Sequence, residues 1–235
     1  MLLPLLTLLF RDPLQFLAVL PVVLVTLGLA LLVAITVHEF GHALAAHALG
    51  DDTARRLGRL SLNPIRHLDP MGTVLLLLIG FGWGKPVPVN PYAIGIRMDH
   101  MKAMALVAIA GPLANFVTAG LVGIPLKMGV LASSGVLFSL DQGLVGDILG
   151  YIVFYNIILG VFNLIPLPPL DGFKVLLGIL PQRPAFALAR VENYGPMLLI
   201  AVLAFDSFSH QSFLWGGLRT VAQFLGMLFA GRPLP

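Results

Sequence analysis

The chain contains no cysteine and few charged residues. Without thiols it has no disulfide framework, no thiolate metal site and no cysteine nucleophile, so a bound metal would need histidine and carboxylate ligands. Charged residues make up 11% of its 235 residues, whereas soluble domains carry about 25%. This is too little charge to cover a surface that faces water. Because 58% of the residues are hydrophobic, the composition indicates a membrane protein.

Basic residues are missing from the start of the chain, and nowhere do they form a run interleaved with aromatic residues. The first basic residue is Arg11, which argues against a cleavable signal peptide. The lack of a basic run argues against a nucleic-acid partner. Residues 1–10 are apolar but shorter than the roughly 20 residues that a span requires. We expect them to lie at the membrane interface or against the helix bundle.

Long apolar runs are plentiful. They predict spans at residues 14–49, 103–126, 148–165, 185–204 and 213–229, each long enough to cross a bilayer or nearly so. The predicted fold is an all-α polytopic membrane protein with five to six transmembrane helices, folded as one domain over 1–235. Within it we expect a core at 14–180, a short helix at 170–180 and two accessory helices at 185–230.

Residues 51–102 form the one long polar region. It contains a short apolar run, Met71–Ile79, which favours a strand or a re-entrant hairpin over a span. Prolines at 86, 88 and 91 predict an extended segment at 85–91, because proline removes helical donors and biases the preceding residue to the β region. A small β-hairpin or re-entrant region is therefore predicted between the first two core helices.

The basic residues indicate the topology. If the first helix runs from outside to inside, every Lys and Arg except Arg11, Lys127 and Arg219 lies on the cytoplasmic side. This distribution follows the positive-inside tendency, and the reverse orientation opposes it. We expect a multi-pass protein of the cell membrane, with its N-terminus outside and its C-terminus in the cytoplasm.

The sequence His38-Glu39-Phe40-Gly41-His42 is an HExxH motif within an apolar helix. Histidines four residues apart project from one helix face and bind one Zn²⁺, while the glutamate lies beside the metal, where it takes a proton from zinc-bound water. Ionisable residues at membrane depth usually mark a functional site. The structural alternative is a buried polar cluster that ties helices together.

A zinc site with two histidines needs a third ligand. His47 lies about 140° around the helix from His42, away from the ligand face, so we interpret it as a residue of the helix end. His67, His100 and His210 lie in polar segments and are interpreted as ordinary loop residues. Asp171 follows prolines that end the third span, and non-helical backbone there would let it turn toward a metal. On spacing alone, a plain Asp-Gly surface turn is an equally good interpretation.

Several motifs in the same order resemble the site-2 protease family, peptidase family M50, of intramembrane zinc proteases. They are the HExxH motif with Ala46 and Gly50, the NxxPxxxxDG-type segment Asn163–Gly172, the segments Gly58–Thr73 and Gly84–Pro91, and Ala110–Asn115. The match covers most of residues 33–175. The segments Gly58–Thr73 and Gly84–Pro91 are typical of the short bacterial members. Residues 1–10 correspond to a reduced first span, and no loop has room for a PDZ-like or CBS-like domain.

The resemblance implies one Zn²⁺ per chain, held by His38, His42 and Asp171, with Glu39 as the base. It also implies that Asn163 helps to hold a transmembrane protein substrate. The residues alone leave two interpretations of Asn163, a donor to an oxyanion or an interhelical hydrogen bond. Asn115 is interpreted as a packing residue, because Gly111 allows helices to approach closely. Strands within 51–91 are expected to pair with an unwound substrate by edge addition.

Two other classes of protein remain as alternatives. A catalytically idle zinc-binding scaffold or metal-handling protein would share the fold, but Glu39 favours the enzyme, because a structural site would not need it. A transporter would need polar residues along several spans, and the last two spans offer few.

Overall fold

The computed structural model of the chain describes residues 9–72, 84–94, 99–131, 143–208 and 213–232. Five helical segments in these ranges are long and apolar enough to cross a membrane. They are α1 (Pro13–Ala48), α3 (His100–Lys127), α4 (Leu144–Asn163), the composite segment Gln182–Phe208 and α8 (Phe213–Ala230). The predicted fold class, an all-α polytopic membrane protein, is confirmed.

The first helix, α1, has 36 residues. It begins where Asp12 accepts a hydrogen bond from the Gln15 backbone N–H at 3.0 Å, with Pro13 in the first turn, a position that proline favours. It ends at Ala48, and the following Gly50 has a φ of 104°, a left-handed conformation that favours glycine. At about 1.5 Å per residue the helix is longer than the roughly 30 Å hydrocarbon layer.

Between α1 and α3 the chain forms short elements only. These are α2 (Thr53–Arg56), a 3-10 turn (Pro64–Arg66) and an isolated antiparallel bridge between Leu68 and Gly84. Residues 85–90 have no regular secondary structure, in keeping with the predicted extended segment. The bridge is the one β-pairing among the described residues. Most of the predicted hairpin run, Met71–Ile79, lies outside them.

Helices α1, α3 and α4 pack against one another to form the centre of the bundle. Small residues line their contacts, and Ala30, Ala34 and Ala119 are fully buried. Small side chains let helix backbones approach closely, which is how membrane helices gain packing energy. By contrast, Val117 and Leu121 are 61% and 64% exposed. An apolar surface of this kind on a long helix suits contact with lipid.

The C-terminal part begins with the short helix α5 (Asp171–Ile179), which packs against α3. The composite span consists of α6 (Gln182–Ala189), a 3-10 turn (Arg190–Tyr194) and α7 (Gly195–Phe208). The predicted spans at 185–204 and 213–229 correspond to this segment and to α8. Asp206 accepts a hydrogen bond from the Leu214 backbone N–H at 2.7 Å, which caps the start of α8.

Candidate active site

The histidines of the HExxH motif lie on one face of α1, one helical turn apart. Their Nε2 atoms are 3.1 Å apart, and their rings meet edge to face. Both side chains are nearly buried, with exposed fractions of 8% for His38 and 11% for His42. The two imidazoles therefore converge on one point inside the bundle, as the four-residue spacing predicts.

Asp171 reaches the same point from the start of α5. Its Oδ2 atom lies 3.1 Å from His38 Nε2 and 3.2 Å from His42 Nε2. Of the two interpretations that spacing left open, the surface turn is wrong, because the Asp171 side chain is 13% exposed. One expectation needs correction: Asp171 is the first residue of the helix α5 and does not lie in non-helical chain.

The residue after Asp171 explains how the carboxylate comes so close. A Cβ atom at Gly172 would overlap the backbone carbonyl of Leu164 and would lie 2.5 Å from the Ile165 carbonyl oxygen. Helix α5 therefore begins in direct contact with the end of α4, and glycine is required for that contact. The Asp-Gly pair is a packing feature that brings the carboxylate to the histidines.

The Nδ1 atom of each imidazole has an oxygen atom as its hydrogen-bond partner. His38 Nδ1 is 2.7 Å from Asn115 Oδ1, and His42 Nδ1 is 2.8 Å from the Val107 carbonyl oxygen. A carbonyl oxygen only accepts hydrogen bonds, so each Nδ1 must carry the proton. In the neutral imidazole each Nε2 then presents a lone pair toward Asp171.

The resulting donor set fits a divalent metal. Two Nε2 lone pairs and a carboxylate oxygen lie within 4.8 Å of one another, and uncompensated groups of this kind repel each other. Asp171 Oδ2 is buried and has no hydrogen-bond partner among the described residues. Ligands at about 2.0–2.2 Å from a tetrahedral Zn²⁺ stand about 3.3–3.5 Å apart, close to the distances observed here. His38, His42 and Asp171 can therefore hold a metal ion.

The wall opposite the histidines is formed by α3. A Cβ atom at Gly111 would overlap His42 Nε2 and would lie 2.9 Å from His38 Cε1. A Cβ atom at Gly41 would in turn lie 2.6 Å from the Ala110 carbonyl oxygen. The two glycines allow α1 and α3 to meet backbone to backbone at the level of the histidines.

Glu39 lies beside His38 and is half-buried. Its Oε2 atom accepts a hydrogen bond from the Val87 backbone N–H at 3.1 Å. Val87 belongs to the irregular segment 85–90, so this segment holds the carboxylate from the side of the polar region. The second oxygen of Glu39, Oε1, lies close to Gly84, the residue that precedes this segment. A Cβ atom at Gly84 would be 3.7 Å from it.

One family model and several known proteins are similar to this chain. The model of peptidase family M50 matches residues 136–205, which include Asp171. The chain is 38% identical over 179 residues to the Bacillus subtilis protein named "Putative zinc metalloprotease YwhC", covering 75% of this chain and 78% of that protein. The chain belongs to peptidase family M50. The predicted enzyme class, a metalloprotease, is thereby confirmed.

Two further relatives carry the name "Putative zinc metalloprotease Rip2". The protein from Mycolicibacterium smegmatis is 28% identical over 73% of this chain and 64% of its own length. The protein from Mycobacterium tuberculosis strain H37Rv is 30% identical over 73% of this chain and 63% of its own length. No solved structure matches the chain significantly.

The fifth residue that the M50 resemblance singled out, Asn163, lies at the end of α4. Its amide donates to the Leu159 carbonyl oxygen of its own helix at 3.0 Å, a bond that neither sequence interpretation anticipated. Its role in holding substrate stays a prediction. His47 pairs with Asp52, Nδ1 to Oδ1, at 2.7 Å, which agrees with its interpretation as a residue of the helix end.

His67 lies in a turn, in agreement with its interpretation as a loop residue, but it is not exposed. It is fully buried, and its Nε2 donates to the Ser61 carbonyl oxygen at 2.7 Å, so it holds the polar region together from within. The interpretation of His100 as a loop residue is wrong, because it is the first residue of α3; it is exposed, and its Nδ1 lies 2.9 Å from the Pro91 carbonyl oxygen. His210 lies outside the described residues.

Sequence reasoning missed the contact of Asn115 with His38. Its interpretation as a packing residue is incomplete, because this fully buried side chain also touches an imidazole of the site. The available signal was a buried amide in an apolar span, which needs hydrogen-bond partners. That signal says that a partner exists, but it does not say which one.

Proposed function

We propose that this protein is an intramembrane zinc endopeptidase that cleaves transmembrane segments of membrane proteins. His38, His42 and Asp171 hold one Zn²⁺, and Glu39 acts as the general base. The observation that carries the proposal is the convergence of two Nε2 lone pairs and the Asp171 carboxylate beside Glu39.

Zinc suits this donor set because imidazole and carboxylate are its usual ligands where cysteine is absent. Three protein ligands leave a fourth position open, which is typical of catalytic and not of structural zinc sites. Bound zinc would lower the pKa of a coordinated water and polarise the scissile carbonyl.

Glu39 then performs the proton transfers. One carboxylate oxygen is oriented by Val87 N–H, and the carboxylate takes a proton from the attacking water. The water oxygen forms a bond to the scissile carbonyl carbon, the carbon–nitrogen bond breaks, and Glu39 passes the proton to the leaving nitrogen. The reaction consumes one water and yields a carboxyl and an amino terminus.

The position of the site along α1 supports cleavage at membrane depth. His42 and His38 lie six and ten residues before Ala48, the last residue of the helix. At about 1.5 Å per residue this is roughly 9–15 Å from the helix end. Water must reach the site from that end, which the distribution of Lys and Arg assigns to the cytoplasm. We propose the cell membrane as the location.

Asn163 completes the proposed machinery as a residue that contacts the substrate. It lies at the last position of α4, before the segment that leads to Asp171. Its amide now donates within its own helix, so a rotation of the side chain would release a donor for a peptide carbonyl. Segment 85–90, which lies beside Glu39, is suited to pair with a locally unwound substrate.

A catalytically idle zinc scaffold is the second candidate. It would use the same three ligands, but it would have no need for a carboxylate oriented beside them. The contact between Glu39 and Val87 therefore favours the enzyme.

The test compares purified wild type with Glu39→Gln and Asp171→Asn in lipid nanodiscs, measuring zinc content and the cleavage of co-purified membrane proteins. We expect wild type and Glu39→Gln to hold one zinc per chain. Cleavage should fall by about 10²-fold or more in Glu39→Gln, the usual contribution of a general base. Asp171→Asn should lose both zinc and cleavage.

Glu192→Gln is the matched control, because Glu192 is exposed in the 3-10 turn before α7. It should behave as wild type does in both measurements. Equal cleavage by wild type and Glu39→Gln would exclude Glu39 as the base. A zinc-loaded wild type that cleaves nothing would favour the idle scaffold.

A further inference from the structure

Two fully buried asparagines from different helices connect the metal site to the centre of the bundle. Asn115 lies on α3 and Asn156 on α4, and neither side chain is exposed. Asn115 Nδ2 donates to Asn156 Oδ1 at 2.9 Å, and Asn156 Nδ2 donates to the Ile152 carbonyl oxygen at 2.8 Å. We call this chain of bonds, from His38 through Asn115 to Asn156, the amide relay.

The direction of the amide relay is fixed by two backbone carbonyls. Asn115 Nδ2 also donates to the Ala34 carbonyl oxygen on α1 at 2.9 Å. Since a backbone carbonyl cannot donate, the amide nitrogen of Asn115 must face Ala34, and its oxygen must face His38. The Ile152 carbonyl orients Asn156 in the same way. Either amide, if flipped, would bring two acceptors or two donors together in a buried site.

We propose that Asn115 and Asn156 are positioning residues that hold His38 in the Nδ1–H tautomer with Nε2 directed at the metal. Asn115 acts by contact with the imidazole. Among the described hydrogen bonds none joins Asn156 to the proposed ligand set, so Asn156 acts through Asn115. The inference rests on the proposed function, because it takes His38 to be a zinc ligand.

The partners of metal-bound histidines fix the ring orientation and the tautomer, and their loss typically weakens metal binding by about 10- to 100-fold. The Val107 backbone carbonyl holds the His42 imidazole in the same way. No side-chain substitution removes a backbone carbonyl. His38 depends on a side chain, so the amide relay can be tested by substitution.

The experiment measures zinc release from the full-length zinc-loaded protein in nanodiscs after addition of excess chelator. Asn115→Leu and Asn156→Leu should release zinc about tenfold faster than wild type or more. Asn115→Asp keeps an acceptor for the His38 N–H, but its second oxygen would face the Ala34 carbonyl and Asn156 Oδ1, so its zinc release should lie between those of wild type and Asn115→Leu. If Asn115→Leu does not fold, Asn156→Leu and the conservative Asn156→Asp, which keeps an acceptor for Asn115 Nδ2, decide the matter.

Thr118→Val is the control, because Thr118 lies one turn from Asn115 and bonds only back to the Ala114 carbonyl oxygen of its own helix among the described contacts. Its zinc release should equal that of wild type. A role in packing alone would lower thermal stability in the asparagine variants and leave zinc release unchanged.

A failure of the proposed ligand set can be distinguished from a failure of the amide relay. Wild type without bound zinc would overturn the proposed ligand set, and the amide relay with it. Wild type with stable zinc, together with a folded Asn156→Leu that releases zinc at the wild-type rate, would overturn the amide relay alone.

Discussion

Glu39 Oε2 accepts a hydrogen bond at 3.1 Å from the backbone N–H of Val87, a residue 48 positions away. This bond orients the carboxylate beside His38 and couples it to segment 85–90. The same segment is tied down at both ends, since Lys85 N–H donates to the His67 carbonyl at 2.8 Å and Asn90 N–H donates to Asp51 Oδ2 at 2.6 Å. The polar region therefore forms part of the candidate active site.

Replacing Val87 with proline removes the N–H that orients Glu39. Residues 86 and 88 are already proline, so the substitution suits an extended segment. A hydrogen bond to a charged group contributes about 1.5–3 kcal/mol, which corresponds to roughly a 10- to 100-fold loss of cleavage. We expect zinc content to stay at the wild-type level.

Val89→Pro is the control, because the Val89 N–H has no partner in the described part of the chain. Unchanged cleavage by Val87→Pro would contradict the orienting role.

The anchor at Asp51 predicts a dependence on pH. Burial alone would raise the pKa of the Asp51 carboxyl, but hydrogen bonds from Thr53 and from the Asn90 backbone, together with the charge of Arg56, hold it below its ordinary value of 3.8. The hydrogen bond from Asn90 N–H to the charged Asp51 carboxylate is therefore at full strength above pH 3.8. It is lost as the pH falls through the lower folded-state pKa.

Asp51→Asn is the variant that tests this anchor. It should speed hydrogen exchange at the Asn90 amide several-fold at neutral pH, because a bond to a charged acceptor is worth about 1.5–3 kcal/mol, roughly twice a neutral one. The ratio of variant to wild-type exchange should decline toward one below about pH 4. A ratio that stays constant from neutral to acidic pH would show that the Asp51 charge does not anchor the segment.

Gly111→Ala tests the close contact between α3 and the histidines. The added methyl group would overlap His42 Nε2, so the alanine would displace an imidazole that is proposed to hold the metal. We expect zinc content well below that of wild type, as measured by elemental mass spectrometry. Gly28→Ala on α1 is the matched control, since a Cβ atom there meets nothing within 4 Å. Full zinc occupancy in Gly111→Ala would mean that α1 and α3 are further apart than described.

Gly172→Ala tests how Asp171 is delivered to the site. The methyl group would collide with the Leu164 and Ile165 carbonyls, which should displace the start of α5 and cost about 1–3 kcal/mol of stability, as overpacking usually does. We expect faster zinc release together with a lower melting temperature. Gly217→Ala in α8, where a Cβ atom meets open space, should change neither. A Gly172→Ala protein with wild-type zinc release would show that Asp171 is not held by this contact.

Much of the fold was predictable because it depends on local patterns. The five spans follow from apolar length, and the start of α1 follows from Asp12 and Pro13. The convergence of His38 and His42 follows from the helical repeat alone. The absence of helix at 85–90 could also be predicted, because the prolines there act on their own neighbours.

The remaining features depend on contacts between distant residues. His38 and Asn115 are 77 positions apart, and Asn115 and Asn156 are 41 positions apart. In a membrane helix both the lipid-facing and the bundle-facing sides are apolar, so hydrophobic periodicity does not reveal which face a polar residue occupies. Asp171 is the intermediate case: spacing left it undecided, and the family resemblance identified it as a ligand. Its burial against the histidines agrees with that assignment.

The central claim is that Glu39 drives peptide hydrolysis within the membrane. Its most direct test is mass spectrometry of new peptide termini in membranes that contain either wild type or Glu39→Gln at equal levels. The account predicts termini inside apolar spans of other membrane proteins, present with wild type and absent with Glu39→Gln. The same termini in both samples, or wild-type-dependent termini found only in water-exposed loops, would contradict it.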